Sequence, residues 1–142
     1  MGKIVLHNSR KCCMLLELAI ADAYGAGFEY ADEIIVNNNL SRYVEYPRFR
    51  LNPGSYIDDT QMSIAIAEVI VAQAPWTPEV LADSFVRAFK RDEREGYARS
   101  FYHFLRQIQD GEEFLIKINP DTNTLTAQSG TCLLLILICY LV

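Results

Sequence analysis

Nowhere in the 142 residues does a charge-free apolar run reach the roughly 20 residues that a bilayer-spanning helix needs. The longest such run is residues 133–142, and adding Thr131 and Cys132 does not bring it to a span. A membrane partner is therefore disfavoured. Positive charge is also scarce: 13 Lys and Arg face 18 Asp and Glu, for a formal net charge of −5. Nucleic-acid affinity is chiefly cationic, so a phosphate-backbone partner is excluded as a working reading. The basic residues between positions 87 and 99 are interleaved with Asp92, Glu93 and Glu95, a mixture expected of a solvated helix face. The two histidines, His7 and His103, stand in no recognisable arrangement with a Ser or Cys, which leaves a nucleophilic mechanism without support. Cys12, Cys13, Cys132 and Cys139 show no metal-ligand spacing and are expected to be reduced thiols of a cytoplasmic protein. Internal repeats, low-complexity linkers and long strand-like runs are all missing.

What is present is a core-forming composition, 51% hydrophobic and 22% charged, of one domain's length. Cys12, Leu15, Leu16, Ala19, Ile20 and Ala23 fall on one helical stripe, predicting an amphipathic helix over 12–24. Lys3, Arg10 and Lys11 precede it as in a signal peptide, but Glu17 and Asp22 interrupt the apolar stretch. Gly25 and Gly27 close the helix. In the cluster Gly25-Ala26-Gly27-Phe28-Glu29-Tyr30, small residues stand beside a carboxylate, which suits close backbone approach; a helix cap followed by a surface Glu is the plainer reading. Residues 31–55 are irregular, with a short β-prone run at 34–36 and a turn signal at Asn37-Asn38-Asn39.

The chain's most informative stretch is Tyr56-Ile57-Asp58-Asp59-Thr60-Gln61-Met62, which opens an apolar segment read as a helix over about 59–73. One carboxylate at a helix start is explained by the free N–H groups and the helix dipole. Two are explained less well. With Asp58 still extended and Asp59 helical, the pair could bracket a hard cation, although a doubled helix start is as good a reading on spacing alone. Tyr-x-Asp-Asp also marks reverse-transcriptase palms, but there it tips a hairpin, whereas here Asn52-Pro53-Gly54-Ser55 precedes it and no basic template groove exists. Downstream, Thr77-Pro78 starts a helix whose Leu81, Phe85, Ala88 and Phe89 line one face to about Lys90. A further stripe, Phe101, Phe104, Leu105 and Ile108, is assigned to the core, with His103 on its polar side. The body to about residue 118 is thus expected to be all-α.

The combination of Ala19-Ile20-Ala21-Asp22-Ala23-Tyr24-Gly25-Ala26-Gly27-Phe28-Glu29 with Gly54-Ser55-Tyr56-Ile57-Asp58-Asp59-Thr60-Gln61-Met62 resembles the N-terminal half of the ADP-ribosylglycohydrolase family. Asp92-Glu93-Arg94-Glu95-Gly96-Tyr97 and the segment 101–111 are similar to stretches that follow in those proteins. The resemblance implies an all-helical fold and a two-magnesium centre that hydrolyses the bond between ADP-ribose and a modified side chain. Carried over by position, Glu29, Asp58 and Asp59 are the catalytic and metal-holding carboxylates, and ADP-ribose or an ADP-ribosylated protein is the partner. Two departures stand against the family pattern. Ile57 replaces a Thr that supplies a metal oxygen, and the C-terminal Asp-rich motif has no counterpart, so at most a partial Mg²⁺ site is expected. The expected organisation is a partial domain over residues 1–121 and a divergent apolar tail over 122–142, a truncated and impaired hydrolase. The alternative is a non-catalytic helical interaction module whose tail binds a partner or a membrane surface, with self-association through residues 131–142.

Overall fold

The structure, a computed structural model, describes residues 14–29, 40–46 and 50–118. The strand-like run at 34–36, His7, all four cysteines and the tail from 122, with the self-association expected of it, lie outside the described residues. Among the described residues there are five α-helices and no strand: α1 (Met14–Gly25), α2 (Asp58–Val71), α3 (Pro78–Arg91), α4 (Arg99–Gln107) and α5 (Gly111–Lys117), with a 3₁₀ turn (Ala26–Phe28) after α1. Among them, no helix is long and apolar enough to cross a membrane.

Helix α3 is the centre of the fold, packed between α2 and α5. Thr77 accepts from the Val80 N–H as N-cap, and Pro78 occupies the first helical position, where its missing N–H costs nothing. Leu81, Phe85, Ala88 and Phe89 are buried as their spacing predicts, joined by Met62, Ala65 and Val69 of α2, by Leu105, and by Phe114 of α5. Ser84 sits among them and donates to the Ala65 carbonyl at 2.8 Å, so the polar atom at the α2–α3 contact is satisfied. His103 is exposed, as expected.

Three local expectations are corrected. First, the central helix runs from Asp58 to Val71 rather than 59–73. It stops before Pro75 because Gln73 takes φ +51, with Gln73 N–H on the Ile70 carbonyl and Ala74 N–H on that of Val69, a Schellman arrangement. Second, the mixed-charge run after Arg91 is a loop, not a helix face, because Asp92 leaves the helical region (φ −150, ψ 81) and Gly96 lies at φ +113. Third, Leu15, Leu16 and Ile20 of α1 are exposed. Helix α1 meets α2 near its C-terminal end, where Asp22 reaches across, and of the stripe it is Ala23 that is buried.

Asp110 caps α5 by accepting from the Glu113 N–H at 2.8 Å, and Glu113 reaches back to the Gln109 N–H at 2.6 Å. The substitution Asp110→Ala is expected to cost about 1 kcal/mol, measured as a lower urea midpoint with an unchanged slope.

Candidate carboxylate cleft

Three segments bring acidic side chains together. Helix α1 ends in Asp22-Ala23-Tyr24-Gly25, and the 3₁₀ turn then tightens the chain toward Glu29. At Gly27 a Cβ would stand 2.5 Å from Val44 Cγ2, so the close approach of segment 43–46 requires glycine there. Tyr46 is buried behind this turn, and its hydroxyl donates to the Ala23 carbonyl (3.1 Å) and contacts that of Ser55. It therefore ties the end of α1 to the loop that leads into α2. Ala26, Tyr46 and Ile57 form a small apolar cluster with Leu51 packed on it.

The start of α2 is capped from outside. Ile57, its N-cap residue, has no side chain able to accept a hydrogen bond. Instead Asp22 Oδ2 accepts from the N–H of Ile57 (3.0 Å), the N–H of Thr60 (3.1 Å) and the Thr60 hydroxyl (2.5 Å). Burial raises the Asp22 pKa above the ordinary carboxylate value, these hydrogen bonds oppose the rise, and the charge of Asp59 adds to it. In the sequence Asp22 stands off the helical stripe and reads as an interruption of the apolar stretch, with no role of its own. The available signal was the apolar N-cap at Ile57, which leaves helix N–H groups that some remote acceptor must satisfy.

A cleft of about 460 Å³ opens between these elements, lined by Leu18, Asp22, Phe28, Glu29, Ile57, Asp58 and Asp59 among others. All three residues singled out from the sequence thus border one cavity. Asp58 is only 3% exposed, Asp59 is half-buried, and the Glu29 Oε2 atom is enclosed. The plainer reading of Glu29 as a surface residue is therefore corrected. So is the staggered start imagined for the acidic pair, because Asp58 is already the first helical residue. Among the described residues, no group of three His, Cys, Asp or Glu side chains closes tightly enough to hold a metal ion. The donors are nonetheless all carboxylate oxygens, the type that hard cations take.

Behind the acidic pair lies a polar network that the sequence did not reveal. Gln61, 2% exposed, donates through Nε2 to the Asp92 carbonyl and accepts from the Tyr97 hydroxyl at 2.8 Å. Burial is the main cause that raises the Tyr97 pKa well above that of an ordinary phenol, and the charges of Asp58, Asp59 and Asp22 add to it. Tyr97 is accordingly a neutral hydrogen-bond donor at any physiological pH.

A sequence model of the ADP-ribosylglycohydrolase family matches residues 6–138. The chain is similar to a protein of Serratia proteamaculans named ADP-ribosylarginine hydrolase Tri1, with 32% identity over 89 residues, 61% of this chain and 23% of that one. It is similar also to the protein of the same name in Pseudomonas putida, with 31% identity over 87 residues and the same coverage. The chain thus spans under a quarter of the length of these curated relatives. No solved structure matches it.

Proposed function

From the premise that this chain belongs to the ADP-ribosylglycohydrolase family, we propose that it serves the hydrolysis of ADP-ribosylated proteins, with ADP-ribosylarginine as the substrate class and Glu29, Asp58 and Asp59 as the site carboxylates. The observation that carries the reading is the convergence of Glu29, from the turn after α1, with Asp58 and Asp59, from the start of α2, on one cleft. The arginine linkage is taken from the names of the two relatives.

Hydrolysis of that linkage joins a water oxygen to the anomeric carbon, breaks the bond to the guanidino nitrogen and delivers a proton to the leaving nitrogen. Glu29, half-buried with one oxygen enclosed, is the carboxylate assigned to take the water's proton. Asp58 and Asp59 hold the ribose side of the site, and Asp22 fixes their turn by occupying the N–H groups of Ile57 and Thr60. Mg²⁺ suits this oxygen-only set, binding through one or two carboxylates while keeping several waters. Asp58, Asp59 and Glu29 would contribute part of its shell, and Ile57 contributes none, since its buried side chain carries no oxygen. When bound, Mg²⁺ supplies Lewis-acid polarisation and a template that orients the ribose hydroxyls.

The test is incubation with a protein carrying ADP-ribosylarginine, in millimolar Mg²⁺, with release of ADP-ribose followed by mass spectrometry. Release that stops on chelation is the expected result. Absence of release, together with absence of any thermal shift on adding Mg²⁺ and ADP-ribose, would sink the assignment.

A further inference from the structure

The loop that follows α3 touches the acidic pair from its protein side and has no part in the hydrolysis outlined above. At Gly96 a Cβ would stand 2.4 Å from Asp58 Oδ1, 2.8 Å from Ile57 Cβ and 3.0 Å from the Asp58 nitrogen. No side chain fits there, and φ +113 is a backbone conformation that residues other than glycine rarely adopt. The Gly96 backbone therefore lies close against the Asp58 carboxylate.

This contact is held from both directions along the chain. Two residues before Asp58, the Tyr56 hydroxyl donates to Asp92 Oδ2 at 2.8 Å, and the Arg94 guanidinium sits 4.3 Å from the centre of the Tyr56 ring. Arg94 also pairs with Asp92 at 2.8 Å, and this partner is the main cause that holds the Asp92 carboxyl below its ordinary pKa. Three residues after Asp58, Gln61 bridges the Asp92 carbonyl and the Tyr97 hydroxyl. Tyr56 and Gln61, on either side of Asp58 in the chain, are thus each bonded to the loop that carries Gly96. A solvated connection between helices has no need of a buried glutamine, a buried tyrosine and an arginine stacked on a ring.

We propose that Gly96 is a positioning residue, the point at which loop 92–97 backs the Asp58 carboxylate and keeps it turned to the cleft; this rests on the reading of Asp58 as a site carboxylate. The mechanism is indirect. Gly96 touches no substrate, and its effect passes through the orientation of Asp58 and the first turn of α2.

Two measurements on the full chain test it, with Gly96→Ala set against Gly111→Ala. The latter would press a Cβ to 2.4 Å from the Asp83 nitrogen at the α3–α5 contact, away from the cleft, and so controls for general destabilisation. The first readout is amide hydrogen exchange. In G96A the Ile57 and Thr60 amides, which hydrogen-bond to Asp22, are expected to exchange at least about tenfold faster relative to those of Phe85 and Val86, whereas in G111A all four follow global stability. Exchange in G96A that rises uniformly, as in G111A, would overturn the proposal. The second readout is terbium luminescence excited through tyrosine, with Tb³⁺ as the probe of the carboxylates. G96A is expected to weaken Tb³⁺ binding by about 10- to 100-fold, with no change in G111A and no further loss when G96A is combined with D58A. Should the parent chain bind neither Tb³⁺ nor Mg²⁺, the metal reading under the proposed function fails, and the exchange comparison alone decides the positioning claim. Should G96A not fold, Tyr97→Phe, which keeps the ring and deletes the bond to Gln61, replaces it in the exchange experiment: selective release at Ile57 and Thr60 supports the loop as a backstop, and a uniform response overturns it.

Discussion

Mg²⁺ and ADP-ribose together are expected to raise the melting temperature of the parent chain, and Asp58→Ala is expected to abolish that rise. A ligand that binds only the folded state stabilises it by RT ln(1 + [L]/Kd), which is about 2.7 kcal/mol at a hundredfold excess over Kd. For a domain of this size that corresponds to about 10 °C. Asp58 is the residue to change because it combines three properties that neither Asp59 nor Glu29 brings together. It lines the cleft, it is 3% exposed, and it has the Gly96 backbone against its carboxylate, so its oxygens are held in one place. Asp22 also lines the cleft, but its Oδ2 atom already accepts three hydrogen bonds from Ile57 and Thr60, and replacing it would unseat the start of α2 itself. The measurement is differential scanning fluorimetry of parent and variant, each with and without both ligands. The ligand-free melts serve as references, so that loss of the shift is separated from loss of the fold. A variant that kept the whole shift would remove Asp58 from the site.

Features coded by neighbouring residues were legible in the sequence. Thr77-Pro78 and the stripe of Leu81, Phe85, Ala88 and Phe89 define α3 without help from the rest of the chain, and both the cap and the buried face are where the pattern puts them. The Asp58-Asp59 pair at the mouth of an apolar helix was legible for the same reason, whereas the weight of Glu29 came from a family resemblance rather than from its spacing. Contacts between remote segments left no local trace. The cap that Asp22 supplies to α2 spans 35 residues in sequence, and the Tyr97–Gln61 bond spans 36. Gly96 has no role legible in the sequence, because nothing near it there shows that Asp58 stands where its side chain would be. Helix α1 misled in the opposite direction. Its period is helical and the helix forms, but periodicity says nothing about which part of a face meets a neighbour, and here the contact falls on Ala23 and Asp22 near its C-terminal end.

The second large effect lies in the core and reaches the cleft from beneath. Phe89 is 1% exposed and meets both Tyr97 and Tyr102 edge-on, each with ring centres 5.7 Å away. Phe89→Ala is expected to cost about 3–5 kcal/mol, since the removed ring leaves a cavity between helices that cannot fully collapse. Against a total stability of about 5–15 kcal/mol for a domain, that leaves little margin. Phe89→Leu retains much of the volume and is expected to cost distinctly less, though each aromatic pair forgoes about 0.5–1.5 kcal/mol beyond buried area. Guanidinium denaturation followed by far-UV circular dichroism measures both. The comparison carries a functional consequence because Tyr97, whose ring rests on Phe89, is the residue that holds Gln61, and Gln61 in turn holds the loop backing Asp58. In the folded F89L variant, Tb³⁺ affinity is therefore expected to fall even though Phe89 lines no part of the cleft. If F89L were destabilised with unaltered ion affinity, Phe89 would be uncoupled from Asp58, and the path through Tyr97, Gln61 and loop 92–97 would fall.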